Sequence, residues 1–200
     1  MKAEKTLLCI PDISGFTHFM SNNDFKLGAK VIPSLLNKIV YSNDIGLKIS
    51  EIEGDAVLFY GTGKLPGLNE LLAQSKRFHA EFYKQLVTLR ARYSKESGAE
   101  SIPQTLGLKI ILHFGEEVGQ VPVGKRIKLI GEDVITAHRL LKNDLEGDEY
   151  ILFSNALLKE YSTDERSAVF KEEQIAEDCI TDDDLGKVPF TYIPLQSPGT

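Results

Sequence analysis

Tryptophan is absent from the 200 residues, and cysteine, methionine and histidine are scarce at 2, 2 and 4. Two cysteines, Cys9 and Cys179, with neither CxxC nor Cys/His zinc spacing, exclude a disulfide framework and a structural zinc module. Cys9 stands in an apolar run and reads as a small buried hydrophobe. The four histidines form no metal set: His113 falls within a strand and His79 and His138 on helices, each expected in a structural role. No apolar run reaches membrane-spanning length. The run ahead of Pro11 is too short and too early for a signal peptide, so a cytoplasmic chain without a membrane partner is expected. No stretch is dense in Lys and Arg, and the net charge is -6, which argues against nucleic acid as a partner. A pocket for an anionic nucleotide needs only a few local donors and a metal, so the charge does not exclude it.

What is present is ordinary for a globular protein: 42% hydrophobic and 26% charged residues, in a length that suits one domain over 1–200. No repeat or low-complexity tract interrupts it. Thr6 to Ile10 reads as a buried strand ended by Pro11-Asp12-Ile13-Ser14-Gly15. Helical spacing follows from Phe25 to Val40 (Phe25, Ala29, Ile32, Leu36, Ile39, Val40), and Pro33 is expected to kink or divide that helix. Lys48–Ile52 and Ala56–Tyr60 read as strands joined by a Glu53-Gly54-Asp55 hairpin. A long amphipathic helix is expected over Leu68–Tyr93, and an exposed loop over Ser94–Thr105. Leu106–Phe114 is a strand with Glu117–Val123 expected to pair back on it. A helix over Glu132–Leu145 starts after Gly131. Tyr150–Phe153 is a strand, Ser154 caps a short helix over Asn155–Tyr161, and Val188–Ile193 is the last strand. Crossovers mixed with hairpins predict an α+β fold, a mixed sheet with helices on one face.

Two acids stand out. Asp12 follows a buried strand, and Asp55 sits at a hairpin tip. If the hairpin lies beside the first strand, the carboxylates meet. Two such groups cannot both stay ionised without a cation, and Mg²⁺ is held by one or two carboxylates plus substrate phosphates. Taken singly, each aspartate is also what a turn favours. Glu51, Glu53 and Asp55 share strand parity, which aims three acids at one face; that face is either solvated or neutralised by cations.

The wording around these acids resembles class III nucleotidyl cyclase catalytic domains. "CIPDISGFTHFM" (Cys9 to Met20) is similar to their first motif and "ISEIEGDAVLFYG" (Ile49 to Gly61) to their Gly-Asp hairpin. "LKIILHFGEEVGQ" (Leu108 to Gln120) and "LIGEDVITAHRLL" (Leu129 to Leu141) follow in family order, so the resemblance covers most of residues 5–160. It implies a ferredoxin-like palm with a mixed, largely antiparallel sheet. It also implies a two-ion Mg²⁺ or Mn²⁺ site on Asp12, Asp55 and the Ile13 carbonyl. Ser14, Gly15, Phe16 and Thr17 would face the triphosphate at a helix start, where unpaired N–H groups suit anions. Glu51 falls at the base-selecting position, where a carboxylate suits guanine, with Lys128 at the second such position. Arg139 falls at the catalytic arginine. The implied partners are a purine nucleoside triphosphate and a second copy of the chain, because the family builds its sites between two protomers.

The sequence departs from the family in three places. Ile135 stands four residues before Arg139, where the family has an asparagine that holds ribose; Thr136 is adjacent but turned about 100° away. Lys128 stands where a small polar or acidic residue is usual, and across a dimer it would pair with Glu51. The C-terminal triphosphate lysine has only Lys187 as a candidate, beside Asp182, Asp183 and Asp184. These departures predict a cyclase-homology domain with little or no turnover. The rivals are an active adenylate or guanylate cyclase and a dimeric regulatory scaffold.

Overall fold

The computed structural model describes residues 3–23, 25–99, 102–124 and 126–196. Its strands are β1 (Ala3–Ser14), β2 (Lys48–Glu53), β3 (Ala56–Thr62), β4 (Gly107–Val123), β5 (Arg126–Ile130), β6 (Tyr150–Ser154), β7 (Ala176–Asp182) and β8 (Gly186–Pro194). Its helices are α1 (Phe16–Asn22), α2 (Phe25–Tyr41), α3 (Leu68–Arg92), α4 (Ile102–Thr105), α5 (Glu132–Leu140), α6 (Asn155–Leu158) and α7 (Thr163–Val169).

Among the described residues one sheet runs in the order β2-β3-β1-β4-β6-β8-β7, with β5 added on β4. Only the β4–β6 pairing is parallel, as a crossover through α5 requires. This is the mixed α+β sheet with packed helices that the motifs predict. β1 sits between β3 and β4 and runs farther than expected, through Pro11 to Ser14, in register with Ile110 to Gly107. Pro11 lacks an N–H; β3 pairs with β1 at Cys9 and Asp12 but not at Pro11, so the imino nitrogen interrupts no bond there.

The expected return strand at Glu117–Val123 is corrected. β4 continues straight through Gly115-Glu116-Glu117, because its far half still pairs with Ala3 and Glu4 of β1 across a register shift. The partner folding back on it is β5, with Val123 opposite Arg126. Of that stretch, Lys125 lies outside the described residues. The loop expected at Ser94–Thr105 is partly helical. Ala99 and Ile102 are buried in it, while Glu100 and Ser101 lie outside the described residues.

Alternation along β1 splits the core in two. Leu7, Cys9 and Ile13 join the cluster under α2 and α3, and Leu8 and Ile10 join a second cluster with Val134, Ala137 and Leu140 of α5. Helices therefore cover both faces, not one: α5 is short, but its apolar stripe meets the face opposite α3. α3 buries Leu71, Leu72, Phe78, Phe82, Leu86 and Leu89 as its spacing predicts. α2 is a single helical element with Pro33 inside it, and it buries Leu27, Val31 and Leu35, leaving Phe25 and Ala29 exposed. α5 is shorter than expected and ends at Leu140. α7, β5 and β7 had no signal in the sequence reading. No helix among the described residues is long and apolar enough to cross a membrane.

Candidate functional site

The hairpin does lie beside the first strand. Gly54, at φ 59°, makes the β2–β3 turn, and Asp12 pairs with Ala56, the residue after Asp55. The Ile13 N–H donates to the Asp55 carbonyl at 3.1 Å, closing the corner. Burial, and then the charge of Asp12, push the Asp55 carboxyl above its ordinary range. The two acids thus share one field. Asp55 lies in the turn and not in β2, so the strand alternation ends at Glu53, and Asp55 is near enough to Asp12 to feel its charge.

One residue here went unrecognised in the sequence. Lys109, on β4 directly opposite Asp12, places Nζ 3.1 Å from Asp12 Oδ2, and also donates to the Leu141 carbonyl at 3.3 Å. Its charge opposes the rise at Asp55. One ammonium between two carboxylates leaves net negative charge at the corner. No group of three or more His, Cys, Asp or Glu side chains forms a metal cluster among the described residues. Two carboxylates with residual charge fit a hard divalent cation that takes its remaining oxygens from water and phosphate.

The turn after Asp12 is built with little tolerance. Gly15 has φ 76°, and a Cβ on it would stand 1.8 Å from the Thr105 carbonyl oxygen, so only glycine fits. Its carbonyl accepts from Phe19 N–H at 2.9 Å and opens α1, which brings Phe16 and Thr17 into the first turn. Ser14 Oγ donates to the Asp148 carbonyl at 2.6 Å, so its hydroxyl holds the turn to the loop before β6.

The remaining predicted residues gather elsewhere, along a groove of about 580 Å³ between β2, β5 and α5. Glu51, Glu53, Lys128, Ile135 and Arg139 all line it, and His138 joins them. Lys128 pairs with Glu51 at 3.8 Å within the same chain, not across a dimer, because β5 folds back beside β2. Ile135 is 54% exposed to the groove, one turn before Arg139, while Thr136 is buried and donates its hydroxyl to the Glu132 carbonyl. Arg139 Nε lies 3.1 Å from Asp182 Oδ2, at the end of β7. The backbone N–H groups of Asp184 and Leu185 hold Asp182 below the usual carboxylate range, with the Arg139 charge adding to them. The acidic C-terminal turn therefore reaches the groove. Lys187, opposite Thr181 in the same hairpin, is exposed.

A second constellation has the order of a nucleophile, base and acid. His113 Nδ1 is 2.8 Å from Ser154 Oγ, and Nε2 is 3.2 Å from Asp133 Oδ1. Ser154 is 0% exposed, and its hydroxyl oxygen accepts from the Leu157 N–H as the cap of α6, so no substrate reaches it. The His113 hydrogen bond keeps Asp133 below the carboxylate range. The trio is a strut that fixes the start of α5 to β4 and β6, and with it the placement of Ile135 and Arg139. His79 is likewise structural, 3.1 Å from Glu149 Oε1.

The fold is that of the class III adenylyl and guanylyl cyclase domains. The guanylyl cyclase Cya2 superposes with a TM-score of 0.66 at 18% identity, covering 100% of this chain and 98% of that one. The adenylyl cyclase CyaB from P. aeruginosa gives 0.64 at 19%, covering 99% and 97%. The guanylate cyclase domain of RhGC from Catenaria anguillulae, in complex with GTP, gives 0.64 at 18%, covering 98% and 99%. By sequence the chain belongs to the family described as "Protein of unknown function (DUF2652)", whose model matches residues 32–150. It is 30% identical to the uncharacterized protein Rv2561/Rv2562 of Mycobacterium tuberculosis over 116 residues, 56% of this chain, and spans about half (52%) of that relative's length.

Proposed function

We propose that this single domain binds a divalent cation together with a purine nucleoside triphosphate and turns it over slowly or not at all. The observation that carries the reading is the contrast between the acid corner and the groove. Asp12 and Asp55 are left with unmatched negative charge, while Arg139 is held by Asp182 and the ribose-facing position is the apolar Ile135. Asp12, Asp55 and the Ile13 carbonyl would hold Mg²⁺ or Mn²⁺. When bound, the ions supply charge neutralisation for phosphate oxygens and a lowered pKa for an attacking hydroxyl. Lys109 orients Asp12, and the backbone from Ser14 to Thr17 offers first-turn N–H groups to the phosphates. Glu51 and Lys128 line the groove where a purine base would lie, already engaged with each other.

A homodimer belongs to the same reading. Ile49 and Ile52 on β2, Ile127 and Ile130 on β5, and Ile135 on α5 are exposed on neighbouring elements. That much apolar surface around a polar groove suits a second copy, whose acid corner would face the groove. One observation favours the second reading, an active cyclase: Lys109 supplies a cation beside the acid pair that no C-terminal lysine provides.

Calorimetry with Mn²⁺ and each purine nucleoside triphosphate tests binding, and a cyclic-product assay on the same protein tests turnover. Cation-dependent binding with little product supports the first reading. A robust rate abolished by Asp55→Ala supports the second. Absence of binding at any cation concentration overturns both and leaves a scaffold whose acids are solvated. Sedimentation that stays monomeric at high concentration, with and without nucleotide, overturns the dimer.

A further inference from the structure

A cavity of about 460 Å³ opens beneath α7, between α6 and the start of the β7–β8 hairpin. It shares no residue with the groove at α5 and lies beyond residues 32–150 of the family match. Its size falls in the range of small-molecule sites. Its walls are of two kinds. Leu158, Phe170 and Ile175 make one side apolar, with Phe170 held edge-on against Phe153. Arg166, Lys171, Ser167 and Thr191 make the other side a set of donors.

Arg166 is the unusual member. Its Nε is buried and finds no acceptor, while one terminal nitrogen donates to Thr163 Oγ1 at 3.2 Å. Neither Arg166 nor Lys171 makes an ion pair among the described residues. Nε itself is closed off from solvent, so a ligand in the cavity meets Arg166 through the rest of the guanidinium. Glu177 also lines the cavity, from β7 opposite Thr191. Two cations and one carboxylate leave a single net positive charge, which matches one negative charge and disfavours a polyphosphate. A guanidinium fork takes a carboxylate in bidentate fashion.

We propose that this cavity is a binding site for a small monocarboxylate with an apolar body, the carboxylate on Arg166 and Lys171 and the body against Leu158, Phe170 and Ile175. The site is independent of the nucleotide reading.

The test is titration of the full chain with benzoate, phenyl phosphate and benzyl alcohol, followed by ¹⁵N amide shifts and calorimetry. Benzoate is expected to saturate with a Kd on the order of millimolar or tighter, moving the amides of Ser167, Phe170 and Thr191. Benzyl alcohol is expected not to saturate. Arg166→Gln should weaken benzoate at least about tenfold. Lys171→Gln, at an exposed position, should weaken it a few-fold with its circular dichroism unchanged. Benzyl alcohol binding as well as benzoate, phenyl phosphate binding more tightly than benzoate, or both variants binding like the parent would overturn the proposal. Failure here leaves Mn²⁺ and triphosphate binding untouched, and the reverse holds as well.

Discussion

The acid corner and the α5 groove are neighbours in the sheet, yet they treat charge in opposite ways. At the corner, Asp12 and Asp55 share one ammonium, and Asp55 is pushed toward its neutral form. In the groove, Lys128 meets Glu51 and Arg139 meets Asp182, while Lys142 lines it with no ion pair among the described residues. The first arrangement leaves negative charge unmatched. In the second, Lys128 and Arg139 must each give up a contact before they can hold an anion.

The largest effect should come from the corner. Asp55→Ala is expected to weaken Mn²⁺-dependent triphosphate binding about 30-fold or more, as for the loss of one partner in a tight charge pair. Calorimetry reads it, and unchanged affinity would place the ligand elsewhere.

In the groove, Ile135→Asn combined with Asp182→Ala restores a polar side chain and releases Arg139. Product formation is expected to rise by roughly tenfold or more, since one transition-state hydrogen bond is worth about 10²–10³ in rate when fully formed. Asp182→Ala alone should tighten triphosphate only a few-fold, because Arg139 is 45% exposed and such pairs are worth about 0–1 kcal/mol. No change in either variant would mean that Arg139 takes no part.

A smaller effect concerns stability. Because Asp55 holds its proton more readily in the folded chain, the folded state binds more protons than the unfolded one just above the ordinary carboxylate range. Stability is therefore lost as pH rises through the raised folded value. Without divalent cation, Asp55→Asn should raise Tm at neutral pH, by an amount reduced by solvent screening of this half-buried carboxyl. The advantage should vanish below the unfolded carboxylate pKa, and saturating Mn²⁺ should reverse the order by stabilising only the parent. The smallest effect is Lys128→Ala. Its 3.8 Å pair with Glu51 is half exposed, so Tm should move by less than about 2 °C and less still in high salt.

Local order was legible where it depends on neighbours in sequence. The period of α3, the Gly54 turn between β2 and β3, and the Ser154 cap of α6 follow from spacing and turn chemistry, and each stands where it was expected. The motif order around Asp12 and Asp55 was enough to bring those two acids together. What failed has a common cause. β4 was divided because Gly115-Glu116-Glu117 reads as a turn, but pairing with β1 on one side and β5 on the other holds it extended. Ala99 and Ile102 sit in polar surroundings in sequence and are buried in the larger core cluster in space, with α4 packed on α3 and α1.

By itself the sequence determined the elements with strong local periods, and the two acids and the glycine turn that follows the first of them. Only the tertiary structure decided who neutralises whom. Lys109 meets Asp12 through a register between strands nearly 100 positions apart, Lys128 meets Glu51 because β5 folds back onto β2, and Asp182 meets Arg139 because the β7–β8 turn curls toward α5. Those distances are set by strand pairing and crossovers, which the spacing of residues along one chain does not encode, and they decide whether each charge in the site is left for a ligand or already spent.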